Sequence, residues 1–179
     1  MIFDEKTIKT EKIYNGKILN LRVDTVELEN KKYSKREIVE HSGGVGMLAI
    51  NEENEVILVR QFRKAAERDL LEIPAGKLEI NEEPRETAIR ELKEETGYTA
   101  ENVSYMTEFF ATPGYCTEKI YIFKATNLTL GDRDLDDSEN IEVEYYSLEE
   151  ALKMIERGEI LDAKTIIALT LFKIEKGEN

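Results

Sequence analysis

The segment Gly76–Tyr98, GKLEINEEPRETAIRELKEETGY, constrains this chain more than any other part of it. Gly76 is followed by five residues and Glu82, then by seven more, then by Arg90-Glu91-Leu92-Lys93-Glu94-Glu95-Thr96-Gly97-Tyr98. Pro84 suits the first turn of a helix and Gly97 its C-terminal cap, so the spacing predicts a helix over residues 83–96. At about 100° per residue, Ala88, Ile89 and Leu92 form its buried stripe. Glu91 and Glu95 then lie one turn apart at the edge of that stripe, with Glu94 beside them. Like charges at this spacing repel, and partial desolvation adds to the cost. A bound Mg²⁺ or Mn²⁺ reverses the sign of that interaction, and Mg²⁺ favours carboxylate oxygens, retained waters and substrate phosphates. A solvated glutamate-rich face explains any one of these acids alone. It does not explain their joint spacing, whose chance occurrence is on the order of one in 10⁵ to 10⁶ at ordinary residue frequencies.

With 179 residues the chain is long enough for one domain with a real core and a small accessory layer. A net charge of -13 speaks against nucleic acid or an anionic membrane surface as partner, because both need basic footprints. A polyanionic substrate therefore needs local help from arginines or metal ions. The single cysteine, Cys116, rules out an intrachain disulfide and fits a reducing cytoplasm. The N-terminus has no signal-like apolar core, and no stretch approaches the length of a membrane span.

Along the chain, residues 13–40 are predicted to form a β-hairpin or small sheet, with Glu29-Asn30-Lys31-Lys32 as its turn. Leu19, Leu21 and Val23 alternate, then Val26 and Leu28 resume out of phase, which predicts a bulge or bend. His41-Ser42-Gly43-Gly44 punctuates the sequence, giving an N-terminal β element over 1–43 and a main domain over 44–179. In the main domain, Val45–Ile50, Glu55–Phe62, Leu70–Ile73, Val103–Phe110, Ile120–Ala125 and Ile141–Ser147 are predicted strands. Helices are predicted from Leu148 to about Arg157 and from Asp162 to about Ile174. The order is that of a mixed α/β fold with a hairpin-rich sheet between helices.

The stretch from Gly76 resembles, letter for letter, the signature of the Nudix hydrolases, with Tyr98 standing where an aliphatic residue is commoner. The resemblance implies an α/β/α sandwich with a mixed sheet and hydrolysis of a nucleoside diphosphate linked to another moiety. It implies Glu91 and Glu95 as principal metal ligands, Glu94 assisting, and the Ala75 carbonyl as a further ligand for two or three Mg²⁺ ions, with Mn²⁺ as an alternative. It implies that Arg90 orients the glutamates and that Gly76 and Gly97 serve backbone geometry.

Other residues resemble the ADP-ribose pyrophosphatase subfamily. Pro113 lies sixteen residues after Gly97, in Thr112-Pro113-Gly114-Tyr115-Cys116-Thr117-Glu118. Arg60-Gln61-Phe62-Arg63 ends a strand, and Glu72-Ile73-Pro74-Ala75 leads into the glutamate segment. This resemblance implies Pro113, Gly114 and Glu118 beside the substrate and an arginine gripping its diphosphate. Arg63 is the first candidate for that arginine and Arg60 the second, since strand alternation puts them on opposite faces. The N-terminal β element resembles a sheet through which such enzymes form homodimers, with Arg36 contacting the adenosine side across the interface. The general base is expected in the acidic loop before the last strand, where Glu139 aligns with a family glutamate and Asp137 is the alternative; Glu94 is a further candidate for a catalytic part. His41 is expected to be structural or at the surface rather than catalytic, Cys116 to be a small residue in the substrate loop, and Gly43-Gly44-Val45-Gly46 lacks the Gly-Lys-Ser/Thr ending of a phosphate-binding loop.

The expected reaction is Mg²⁺-dependent cleavage of ADP-ribose to AMP and ribose 5-phosphate. The alternative is another nucleoside diphosphate derivative: an ADP-sugar such as ADP-glucose, NADH or a dinucleoside polyphosphate. A non-catalytic ADP-ribose sensor fits less well, because every glutamate of the segment is present.

Overall fold

A computed structural model describes residues 4–79, 81–134 and 140–177. The elements in chain order are β1 (Lys6–Asn15), β2 (Leu19–Glu27), β3 (Tyr33–His41), β4 (Gly44–Ile50), β5 (Glu55–Arg63), β6 (Arg68–Glu72), β7 (Ala75–Lys77), α1 (Pro84–Thr96), β8 (Tyr98–Phe110), β9 (Lys119–Leu130), β10 (Ile141–Ser147), α2 (Leu148–Glu156) and α3 (Ala163–Lys176). They divide between two compact units, one of Met1–Gly43 with Phe110–Lys119 and one of Gly44–Phe109 with Ile120–Asn179.

In the larger unit, β4 is an almost unbroken apolar run and is buried at every residue, as a strand covered on both faces must be. It is the centre of a seven-stranded sheet ordered β10-β5-β4-β9-β8, with β6 paired to β5 and β7 to β4. β4 runs parallel to β9 and antiparallel to β5 and β7, so the sheet is mixed. Side chains alternate along β4. Leu48 and Ile50 join Leu58, Ile122 and the apolar faces of α2 and α3 in one cluster. Val45, Met47 and Ala49 join Ile57, Ala125 and the α1 residues Ala88 and Leu92 in the other. Helices thus cover both faces, giving the α/β/α sandwich.

Helix α1 begins at Pro84 and ends at Gly97, whose φ of 80° is the left-handed cap conformation. A side chain at Gly97 would also lie 2.7 Å from the Gly131 carbonyl oxygen, so glycine is required there twice over. Two sequence expectations are extended here. β8 starts at Tyr98 and β9 continues to Leu130, both longer than their apolar runs suggest. Chain also re-enters the sheet after Pro74, as β7.

The smaller unit is a three-stranded antiparallel sheet ordered β1-β2-β3. The segment between β8 and β9 belongs to it. Val39 N–H donates to the Tyr115 carbonyl (2.8 Å) and Thr117 N–H to the Val39 carbonyl (2.9 Å). Two expectations are corrected. β1 is a full strand that starts well before residue 13, with all ten residues exposed. The bulge is not in β2, which pairs with β3 from Leu19↔His41 to Glu27↔Tyr33 without a shift. The irregularities are in β1, between Thr7 and Lys9 and between Lys12 and Tyr14. The apparent slip in β2 arises because one of its faces buries Asp24 with Val26 while the other carries Leu19, Leu21 and Val23.

Candidate active site

The site is built around the short passage from β6 to β7. Pro74 cannot donate a ladder hydrogen bond and ends β6. Its carbonyl accepts the Met47 N–H (2.8 Å), which keeps the passage against β4. Ala75 then pairs with Gly46, and Gly76 with Val45. Two glutamates of α1 meet this passage. Glu95, only 3% exposed, accepts the Ala75 N–H at Oε2 (2.9 Å). Glu91 packs so closely over Gly76 that a Cβ there would stand 1.9 Å from the Glu91 Cδ. Any side chain at position 76 displaces that carboxylate.

Arg90 holds the surrounding acids. Its guanidinium lies 3.2 Å from Glu82, 2.9 Å from Glu91 and 2.7 Å from Glu94. The hydrogen bonds to Glu82 raise the Arg90 pKa above its usual value; burial opposes this, and the charges of Glu91 and Glu94 add to it. One cation thus relieves repulsion among three carboxylates.

Among the described residues, no three His, Cys, Asp or Glu side chains converge as a ready-made cation cage. The reason is local: Glu95 is engaged with the Ala75 amide, and Glu91 and Glu94 with Arg90. The donor chemistry still fits a hard divalent ion. Carboxylates and a main-chain carbonyl are all-oxygen donors, and Mg²⁺ completes its shell with waters and phosphates rather than with a closed protein cage.

The two arginines of β5 have different surroundings. Arg63 grips the buried Glu72 with two parallel hydrogen bonds, Nε to Oε1 (2.7 Å) and Nη2 to Oε2 (2.8 Å). Its Nη1 has no hydrogen-bond partner among the described residues. These bonds to Glu72 raise the Arg63 pKa, burial opposes them, and Glu95 and Asp162 add through their charge. Arg63 is therefore within the field of Glu95. Burial alone would raise the Glu72 pKa, but the Arg63 hydrogen bonds and the Lys164 charge outweigh it and hold the carboxyl at about 2. Arg60 instead turns to β10, where it bonds Glu144 (Nη2 to Oε2, 3.2 Å) and Glu144 also accepts the Tyr146 hydroxyl.

Arg36, Pro113, Gly114 and Glu118 all lie in the smaller unit. Arg36 donates to Glu5 (2.8 Å) and to Ser34 (2.9 Å). Pro113 and Gly114 are exposed in the loop after β8, and Glu118 lies 3.5 Å from His41. Glu139 and Asp137 lie outside the described residues. The chain leading towards them rests on the end of α1. Gly131 N–H donates to the Gly97 carbonyl (2.9 Å) and Asp134 N–H to the Glu94 carbonyl (3.4 Å).

Within the larger unit, then, Ala75, Gly76, Glu91 and Glu95 come together, with Glu94 joined through Arg90. Sequence reasoning quoted Glu72 only as part of a lead-in and passed over Lys164 and Thr165 entirely. An acid following Leu70 and Leu71 and preceding Ile73, at the buried end of a strand, was the available signal.

Residues 40–169 match the NUDIX domain, and residues 5–39 match the nucleoside diphosphate sugar hydrolase N-terminal domain. The chain is 48% identical to an ADP-ribose pyrophosphatase of Bacillus subtilis (strain 168), over 97% of this chain and 95% of that protein. It is 44% identical to a methanol dehydrogenase activator of Bacillus methanolicus, over 98% of this chain and 96% of that protein. Its fold superimposes on the crystal structure of an ADP compounds hydrolase with a TM-score of 0.88, covering 100% of this chain and 98% of the other at 22% identity.

Proposed function

The chain belongs to the NUDIX family of hydrolases, and from that premise we propose that it cleaves the diphosphate of ADP-ribose to AMP and ribose 5-phosphate. The observation that carries the site is the joint approach of Glu91 and Glu95 to Ala75 and Gly76. Nudix hydrolases use divalent cations. Here the ions are Mg²⁺, with Mn²⁺ as substitute, two or three per site, held by the Ala75 carbonyl, Glu91 and Glu95 with Glu94 assisting. When bound, they supply positive charge opposite the diphosphate of a protein whose net charge is -13.

The chain's own groups do the rest. Arg63, fixed by Glu72 and with Nη1 unspent among the described residues, binds a diphosphate oxygen. Arg60, paired with Glu144, which also accepts the Tyr146 hydroxyl, supports the strand end rather than the substrate. Water attacks one phosphorus, the anhydride P–O bond breaks towards the other phosphate, and a carboxylate takes the water's proton. Glu139 is the proposed carboxylate, with Asp137 as its alternative. The smaller unit, residues 1–43 by sequence, serves as a dimerisation element carrying Arg36 to the adenosine side. Pro113, Gly114 and Glu118 face the terminal ribose. The setting is the cytoplasm, which the single cysteine fits. No helix among the described residues is long and apolar enough to cross a membrane.

The match of residues 5–39 favours one second reading, a nucleoside diphosphate sugar other than ADP-ribose. A panel of ADP-ribose, ADP-glucose, GDP-mannose, NADH and a dinucleoside polyphosphate, with products identified, separates the two. ADP-ribose is expected to give the highest kcat/KM; another substrate cleaved tenfold faster would replace it.

A further inference from the structure

The main-chain amide of Ile73 poses a problem that α3 solves. Ile73 follows the last residue of β6, precedes a proline and is fully buried, so its N–H has no strand partner and no access to water. It donates to Thr165 Oγ1 (2.8 Å), ninety-two residues away in the first turn of α3. Thr165 is itself fully buried. Its hydroxyl proton is committed to Asp162 Oδ2 (2.6 Å), so its lone pairs point back towards the amide. Asp162 also accepts the Thr165 N–H (2.9 Å) as the cap of α3, and its Oδ1 lies 3.1 Å from Lys164. Lys164 closes the circuit by pairing with Glu72, the residue before Ile73.

This circuit, with Met47 and Glu95, grips the passage to β7 one residue after another. Glu72 is held by Arg63 and Lys164, Ile73 by Thr165, Pro74 by Met47 and Ala75 by Glu95. A direction fixed at four consecutive residues leaves the peptide plane of Ala75 little freedom. We propose that Thr165, with Asp162 and Lys164, is a positioning residue that sets the Ala75 carbonyl relative to Glu91 and Glu95. The inference rests on the reading that this carbonyl and these glutamates hold the divalent cation. The hydroxyl acts through the backbone and touches neither substrate nor ion. A hydrophobic residue of equal size fills the space but abandons the Ile73 amide, so the passage must shift to rehydrate it.

The test is Mn²⁺ binding to the full chain without substrate, followed by electron paramagnetic resonance, alongside kcat and KM for ADP-ribose at saturating Mg²⁺. Thr165→Val is expected to raise the Mn²⁺ dissociation constant about tenfold or more. It should also lower kcat while leaving KM within about twofold. Thr165→Ser, which keeps the hydroxyl, is expected to restore both to within about threefold of the parent. A folded Thr165→Val protein with parental Mn²⁺ affinity overturns the proposal. If that variant does not fold, Lys164→Met decides: a rise of about threefold in the Mn²⁺ dissociation constant supports the circuit, and an unchanged value overturns it. Glu95→Gln separates this inference from the reading beneath it. Undiminished Mn²⁺ binding in Glu95→Gln removes the metal site itself, whereas loss there with parental binding in Thr165→Val removes only the positioning role.

Discussion

The two units solve the problem of stability differently. In the larger one every residue of β4 is buried, and its side chains feed two hydrophobic clusters, one on each face of the sheet. In the smaller one every residue of β1 is exposed, and Val26 is the only buried hydrophobic residue among those described. Ile8, Ile13, Tyr14, Ile18 and Tyr33 are each at least half exposed there. A three-stranded sheet with so little core is marginal by itself. The α1 glutamates proposed to hold the cation stand on the densely packed unit, where a displacement of an ångström is resisted by the whole core. Arg36 stands on the sparse one.

That contrast is most sharply broken at Gly76. Gly76→Ala forces a Cβ to within 1.9 Å of the Glu91 Cδ as it now stands. A loss of kcat of about 10²-fold or more is expected, read in a steady-state assay with ADP-ribose. Next in size is the core beneath α1. Leu92→Ala, at a side chain with no exposure, should cost about 2–5 kcal/mol in urea denaturation.

Glu72 gives a pH-dependent effect of similar order. Its folded pKa of about 2 lies below the ordinary value of 4.5, so its contribution is complete above pH 4.5 and is lost as pH falls towards 2. The carboxyl is 2% exposed, and the contribution at neutral pH is about 3 kcal/mol. Glu72→Gln should lower the melting temperature at pH 7 and flatten the acid limb between pH 4.5 and pH 2, measured by thermal denaturation across that range. An acid limb as steep as the parent's would assign the transition to other carboxyls. The smallest effect belongs to the sparse unit. Ile13→Ala, at a side chain 52% exposed, should change monomer stability by less than about 0.5 kcal/mol. A cost as large as that of Leu92→Ala would show that β1 carries a core of its own.

Helix α1 was legible because three signals agree over one short stretch: Pro84 at its start, Gly97 at its end and the apolar stripe between them. The depth of Glu95 was not legible. A helical wheel places it at the edge of the stripe, whereas the Ala75 amide draws it in until 3% of it is exposed. β1 escaped notice because it buries nothing, so no alternation marks it. The bulge expected in β2 came from reading Val26 as out of phase, when Asp24 beside it is just as buried. Glu72 and its partners were hidden by distance. Arg63 lies nine residues away in sequence and Lys164 ninety-two, and no local pattern announces that two cations will converge on one strand-end acid.

Glu95, held against Ala75, is proposed to belong to a divalent-cation site that hydrolyses ADP-ribose. That assignment is tested most directly by comparing kcat of the parent and Glu95→Gln with ADP-ribose at saturating Mg²⁺, both proteins having the same circular dichroism. Glutamine can still accept the Ala75 N–H but carries no charge. AMP and ribose 5-phosphate are expected from the parent, and a kcat lower by about 10²–10³-fold in the variant. Equal turnover by the two proteins would contradict the assignment.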